Sequence, residues 1–234
     1  MAKAHIKEIE ILKQDLSSLH IAVIGDVMID RYINGTAHRI SPEAPVPIIL
    51  QKQIFDKPGG ASNVAANLKS MGCKVSLIGL AGKDENAAIL EKLLQNSACD
   101  WIYLLTDPGR PTTLKTRVMA EGHQITRIDV ESEEPVSSSI QGQALLKLEE
   151  LFTADKPEVL ILQDYNKGLL HQEWIGKILH LAKKYGVKTA VDPKKKNFFE
   201  FHLVDLFKPN LKEAVQQYPY PFKGLNQLPE LLTI

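Results

Sequence analysis

Asp26 and Asp30 flank Val-Met-Ile at the end of a short apolar run, HIAVIGDV (20–27). Carboxylates delivered by the carboxyl end of a buried strand can accept hydrogen bonds from the vicinal hydroxyls of a sugar. Asp26 can equally do no more than cap a turn. In QDYNKGLL (163–170), Asp164 closes a second apolar run and Lys167 follows in the loop, from where an ammonium group can reach a phosphate. A solvated surface lysine is the plainer reading of Lys167. DPKKK (192–196) sets Asp192 and three lysines after a third run, and Lys194 is the candidate phosphate contact there. KPNLKEA (208–214) places Asn210 and Glu213 three apart as a helix begins, hence on one face. That pair either forms a reciprocal capping box or offers oxygens to a water-coordinated Mg²⁺ beside nucleotide phosphates.

The stretch KPGGASNVAANL (57–68) has the same ambiguity. Gly59 and Gly60 can shape a turn before a helix capped by Ser62 or Asn63. They can also open the backbone to a ligand, with Asn63 offering amide and carbonyl groups to hydroxyls one turn into the helix. Two nucleotide-binding fingerprints are absent: no G-x-G-x-x-G follows the first strand, and no G-x-x-x-x-G-K-[ST] occurs anywhere.

The elements that must position these residues follow a simple rhythm. HIAVIGDV, KVSLIGLAG (74–82), CDWIYLL (99–105), EVLILQD (158–164) and VKTAVDP (187–193) read as buried parallel strands. Helical stretches at 61–71, 84–97, 137–153 and 171–185 alternate with most of them, which predicts right-handed crossovers and an α/β, doubly wound parallel sheet covered on both faces. Ile6, Ile9, Leu12 and Leu16 predict an amphipathic helix at the start of the chain. Two segments break the rhythm. Residues 31–55 hold three prolines among alternating apolar residues, and residues 112–131 read as strand, Glu-Gly-His turn, strand. Both predict a small β-sheet flap over the strand ends, with an apolar face that would invite a second subunit.

Composition narrows the partners. Lys plus Arg and Asp plus Glu both number 28, so no net field draws nucleic acid or an anionic membrane. Charges throughout the first sixteen residues, and the absence of any eighteen-residue apolar run, predict neither signal peptide nor membrane span. Cys73 and Cys99 lack metal-ligand spacing and read as reduced thiols, so a cytoplasmic location is expected.

Taken together, GDVMIDRYINGTAHRISPEAPVPI, KPGGASNVAANLKSMG, PTTLKTRV, QDYNKG, VDPKKKNF and KPNLKE resemble, in order, the ribokinase-like (PfkB) carbohydrate kinases. They cover nearly all of residues 20–215. RISPEAPVP (39–47) is particularly similar to the kinase domain that makes heptose bisphosphate for ADP-heptose synthesis. The resemblance implies a kinase that moves the γ-phosphoryl group of ATP to the C1 hydroxyl of D-glycero-D-manno-heptose 7-phosphate, on the way to lipopolysaccharide core. It implies that Asp26, Asp30, Gly59, Gly60, Asn63 and Asp164 line the sugar site, and that Lys115, Arg117 and Lys167 hold the distal phosphate. Lys194, Asn210 and Glu213 would lie around ATP and Mg²⁺, the last two through water. Segments 31–55 and 112–131 become the lid, through which relatives dimerise.

The family's catalytic aspartate belongs to a Gly-Ala-Gly-Asp motif downstream of the Asn-x-x-Glu helix. These 234 residues contain no such motif, so no catalytic residue is assigned. The expected domain is a ribokinase-like kinase domain without its C-terminal nucleotide and catalytic part. Three readings stay open: a fragment or split product of a kinase, the latter completed by a complementary C-terminal chain; another sugar kinase of the same superfamily; and a catalytically silent sugar-phosphate-binding or interaction protein.

Overall fold

The computed structural model describes residues 16–97 and 99–217. The expected helix over residues 6–16 lies outside them except for Leu16, as does everything after Gln217. Six parallel strands form the main sheet: β1 (His20–Gly25), β4 (Lys74–Ala81), β5 (Trp101–Thr106), β8 (Val159–Gln163), β9 (Lys188–Asp192) and the two-residue β10 (Leu206–Phe207). Their spatial order is β10-β9-β8-β1-β4-β5. Crossovers therefore leave β1 in both directions, which makes its carboxyl end the topological switch point where ligands of such sheets bind.

Each strand is apolar on both sides because helices cover both faces. Ala22 and Ile24 of β1 point into a core with Leu160 and Leu162, closed by α3 (Ser138–Ala154) and α4 (Gln172–Tyr185) through Leu148, Trp174 and Ile178. Ile21 and Val23 point the other way, against α1 (Ala61–Ser70) and α2 (Glu85–Asn96) through Ala65, Leu90 and Leu94. The doubly wound parallel sheet expected from the alternation of apolar runs and helices is what the chain forms.

A second sheet of four strands, ordered β3-β2-β6-β7, comprises β2 (Val27–Ile40), β3 (Pro47–Gly60), β6 (Leu114–Ala120) and β7 (His123–Val130). The first pair begins earlier and ends later than the expected 31–55, since β2 starts at Val27 and Gly59 and Gly60 close β3, whereas β6 and β7 fall within the expected 112–131. Only Asp26 separates β1 from β2, so the chain turns from the main sheet into the small one at a single residue. Alternation in β2 and β6 sorts the side chains. Asp30, Tyr32, Lys115 and Arg117 share one face, while Ile33, Thr116 and Val118 share the other. Irregularities at Asn34/Gly35 and Val118/Met119 curl the sheet.

Candidate functional site

The Gly-Gly stretch is neither a loop nor a side-chain-capped helix start. Gly60 is itself the N-cap of α1, at φ 57° and ψ −133°, and no side chain caps the helix. Ser62 is already helical, and its hydroxyl donates to the carbonyls of Gly59 (2.5 Å) and Met28 (3.3 Å). A Cβ on Gly60 would stand 2.3 Å from the Asp26 carbonyl oxygen, and one on Gly59 would stand 2.8 Å from Asp30 Oδ2. The glycines thus bring the α1 N-terminus against the Asp26 corner, where Ala61 N–H donates to the Asp26 carbonyl at 2.9 Å. Asn63 lies on the first turn of α1, exposed, and its side chain makes no hydrogen bond among the described residues.

Asp26 is 3 % exposed. Its Oδ2 accepts the backbone N–H groups of Tyr165 (2.8 Å) and Lys167 (3.0 Å), so it fixes the loop after β8. Burial raises its pKa to about 6, with the nearby Asp164 charge adding to the rise and the backbone N–H groups of Lys167, Tyr165 and Leu169 opposing it. Asp164, fully buried, accepts from Asn166 N–H (2.7 Å), Asn197 Nδ2 (2.9 Å) and Lys194 N–H (3.4 Å). Burial pushes its carboxyl upward as well. Two adjacent strand ends thus carry two buried carboxylates, each spent on holding the loops that surround the switch point.

The groups that face outward are cationic and paired. Arg117 donates to Asp30 Oδ1 at 2.5 Å, and its guanidinium stands 5.4 Å from the Tyr32 ring centre. That hydrogen bond raises the Arg117 pKa. Lys115 Nζ lies 2.6 Å from Glu131 Oε2 and 3.0 Å from Asp129 Oδ2. Lys167 Nζ lies 2.8 Å from Glu131 Oε1, so one carboxylate bridges the small sheet to the β8 loop. Burial works against the ionised form of Glu131, but hydrogen bonds from Lys115 and Lys167 prevail and lower its pKa.

On the other side of Asp164, Lys194 pairs with Glu213 and stands 5.2 Å from the Tyr165 ring centre. Burial opposes the Lys194 charge, but the Glu213 hydrogen bond and the Asp192 charge raise its pKa on balance. Asn210 and Glu213 make the reciprocal capping box of α5 (Leu211–Gln217): Asn210 N–H donates to Glu213 Oε2 (2.8 Å), and Glu213 N–H donates to Asn210 Oδ1 (2.9 Å). No group of three or more His, Cys, Asp or Glu residues suited to holding a metal exists among the described residues. One carboxylate already bound to an ammonium group suits an ion that keeps its water shell, as Mg²⁺ commonly does, and not a directly coordinated one.

The structure joins all the sequence-predicted residues except Asn63 into one connected set: Gly59 and Gly60 against Asp26 and Asp30, Asp30 to Arg117, Lys115 to Lys167 through Glu131, Lys167 to Asp26, and Asp164 through Lys194 to Glu213. A hollow of about 300 Å³ lined by Glu133, Asn166, Lys196 and Asn197 adjoins it. Two larger clefts lie away from these groups: one of about 630 Å³ between α4 and the β9–β10 edge, and one of about 720 Å³ between α3 and α4. Sequence reasoning missed Glu131, Asn197 and Arg110. Arg110 donates to the carbonyls of Lys167 (2.8 Å) and Glu134 (2.8 Å) and so ties the β8 loop to the segment after β7. Its position directly before Pro111 gives no local signal of either contact.

Residues 18–221 match the model of the pfkB family of carbohydrate kinases. The bifunctional protein HldE of Psychromonas ingrahamii is 41 % identical over 197 residues, which are 82 % of this chain and 39 % of that protein. The chain thus spans about two fifths of the length of the curated relatives it matches. Among solved structures, phosphofructokinase-2 from Escherichia coli in complex with fructose-6-phosphate aligns with 92 % of this chain and 69 % of its own, at a TM-score of 0.70 and 18 % identity. Arabidopsis thaliana ribokinase complexed with ribose and ATP aligns with 92 % of this chain and 67 % of its own, at a TM-score of 0.63 and 15 % identity. Sequence and architecture agree: the chain belongs to the pfkB family of carbohydrate kinases.

Proposed function

We propose that this chain forms the sugar-phosphate-binding part of a cytosolic kinase that phosphorylates D-glycero-D-manno-heptose 7-phosphate at C1, using ATP, toward ADP-heptose for lipopolysaccharide core. The observation that carries the reading is the convergence of Lys115 and Lys167 on one carboxylate, that of Glu131, with Asp30 beside Lys115 in the strand register. A phosphorylated sugar has that bipartite chemistry: a dianion at one end and hydroxyls at the other. The HldE relatives, about 40 % identical, favour a heptose over the fructose 6-phosphate and ribose named for the more distant structures.

In this reading Lys115, Lys167 and Arg117 hold the distal phosphate, Asp30 and Asn63 orient the hydroxyls, and the Gly59–Gly60 backbone forms the floor. Asp26 and Asp164 hold the loops that carry Lys167 and Lys194. Lys194 faces the ATP phosphates, and Glu213 with Asn210 would hold water-clad Mg²⁺, which supplies charge neutralisation when bound. The reaction breaks the bond between the γ-phosphorus and its bridging oxygen and forms a bond from that phosphorus to the C1 oxygen, whose proton must be taken up by a base. None of the residues above is assigned that step.

We also place a homodimer contact on the small sheet. Ile54 and Ile128 are 48 % and 55 % exposed on the face opposite Asp30, and Ile40 and Leu50 are 63 % and 65 % exposed. No described helix is long and apolar enough to cross a membrane, and no net charge calls for nucleic acid. Calorimetry with heptose 7-phosphate, fructose 6-phosphate, ribose and an ATP analogue tests the assignment. Heptose 7-phosphate should bind tightest; a preference for an unphosphorylated sugar, or for no sugar at all, overturns it.

A further inference from the structure

Glu131 is the first residue after β7, and both its carboxylate oxygens are engaged by lysines from different parts of the fold: Oε2 by Lys115 of the small sheet, Oε1 by Lys167 of the β8 loop. The side chains of those lysines are 13 % and 11 % exposed, so the two ammonium groups form a recessed receptor for a two-oxygen anion, and Glu131 fills it. The backbone around Glu131 is pinned on both sides. Val130 pairs with Leu114 in the small sheet, and beyond Glu131 the Arg110–Glu134 and Val136–Gly168 hydrogen bonds fix the chain to the β8 loop. Only residues 131–133 lie between the anchors, so the carboxylate can swing out without moving either sheet.

Resting on the phosphate role given above to Lys115 and Lys167, we infer that Glu131 is a specificity-determining residue, a tethered competitor that a ligand must displace to bind. A tethered group acts at an effective concentration of about millimolar or more, so free monocarboxylates and neutral sugars do not compete with it. A phosphate dianion does, because it carries more charge and three acceptor oxygens for the same ammonium groups. Lys115 keeps Asp129 at 3.0 Å after the exchange, whereas the other carboxylate near Lys167 is the half-exposed Glu133 at 3.5 Å. The vacated receptor is therefore net cationic. Displacement also breaks the one side-chain bridge between small sheet and β8 loop that Glu131 supplies, so phosphate arrival and release of that bridge are the same event.

The probe is inorganic phosphate titrated into the full chain, which does not depend on the identity of the sugar. Glu131→Gln, nearly isosteric, should raise phosphate affinity about tenfold or more, while the charge-matched control Glu133→Gln should change it less than about twofold. In the wild-type chain, phosphate at constant pH should shift the ¹³C carboxyl resonance of Glu131, a readout independent of whether any variant folds. Unchanged or weaker phosphate binding by Glu131→Gln, an equal gain in Glu133→Gln, or an unmoved Glu131 resonance overturns the inference. A flat Glu131→Gln with normal heptose 7-phosphate binding removes the competitor and leaves the kinase assignment standing. Displacement by phosphate in a chain indifferent to heptose 7-phosphate does the reverse.

Discussion

Replacing Asp26 by Asn should change the pH dependence of stability in a calculable way. The Asp26 carboxyl is buried at the β1–β2 corner beside Asp164, and its pKa stands at about 6. An unfolded chain gives an aspartate about 3.9. Between those values the native state holds a proton that the unfolded state has released, so stability falls as pH rises. The gap of about two pH units corresponds to about 3 kcal/mol, present in full below about pH 4 and lost by about pH 7. Asn keeps an oxygen that accepts the Tyr165 and Lys167 N–H groups but has no proton to lose. Urea unfolding of both proteins at pH 4, 5, 6 and 7, with the difference taken at each pH, isolates Asp26 from the carboxylates elsewhere whose pKa values are lowered. The wild type should lose ground steadily relative to Asp26→Asn as pH increases. A difference that is flat, or that grows in favour of the wild type, would mean the backbone donors solvate this carboxylate as well as water does and would refute the argument.

Three further outcomes follow from the same geometry. Gly60→Ala should destabilise the fold by about 2 kcal/mol or more in urea, since its φ is positive and its Cβ meets the Asp26 carbonyl; a loss under about 0.5 kcal/mol contradicts this. Asn63→Ala, at an exposed side chain with no hydrogen bond among the described residues, should leave stability within about 0.5 kcal/mol yet weaken heptose 7-phosphate binding about tenfold by calorimetry, and unchanged affinity removes Asn63 from the site. Ile128→Asp on the outer face of the small sheet should give a monomer in sedimentation with the main sheet intact, and a wild type already monomeric at high concentration removes the proposed contact.

Five of the six strands of the main sheet were legible because each is a continuous apolar run and each crossover helix has its own periodicity, both of which are local signals, whereas the two-residue β10 is too short to carry a pattern. The capping box at Asn210 and Glu213 was legible for the same reason: its two hydrogen bonds span three residues. The Gly59–Gly60 conformation was not, because what requires it is the Asp26 carbonyl across the small sheet. Glu131 was harder still. In DVESEEP (129–135) it is one acid among several, which reads as a solvated run, and its partners Lys115 and Lys167 are 16 and 36 residues away. Arg110 meets Lys167 across 57 residues. Where a residue's role is set by a distant backbone oxygen or ammonium group, its neighbours in sequence carry no trace of it.

The way the small sheet is assembled has a consequence during synthesis. Its inner strand β2 pairs on one side with β3, close by in the chain, but on the other with β6, whose Arg117 meets Asp30 from 87 residues away. At about 5–20 residues per second, a ribosome leaves the β2 edge without that partner for about 4–17 s, long enough for strands to pair wrongly with a neighbouring nascent chain. The exposed Ile40, Leu50 and Ile54 on that hairpin sharpen the hazard. Expression yield should therefore depend more on translation speed and chaperone supply over codons 61–117 than on the stability of the finished fold.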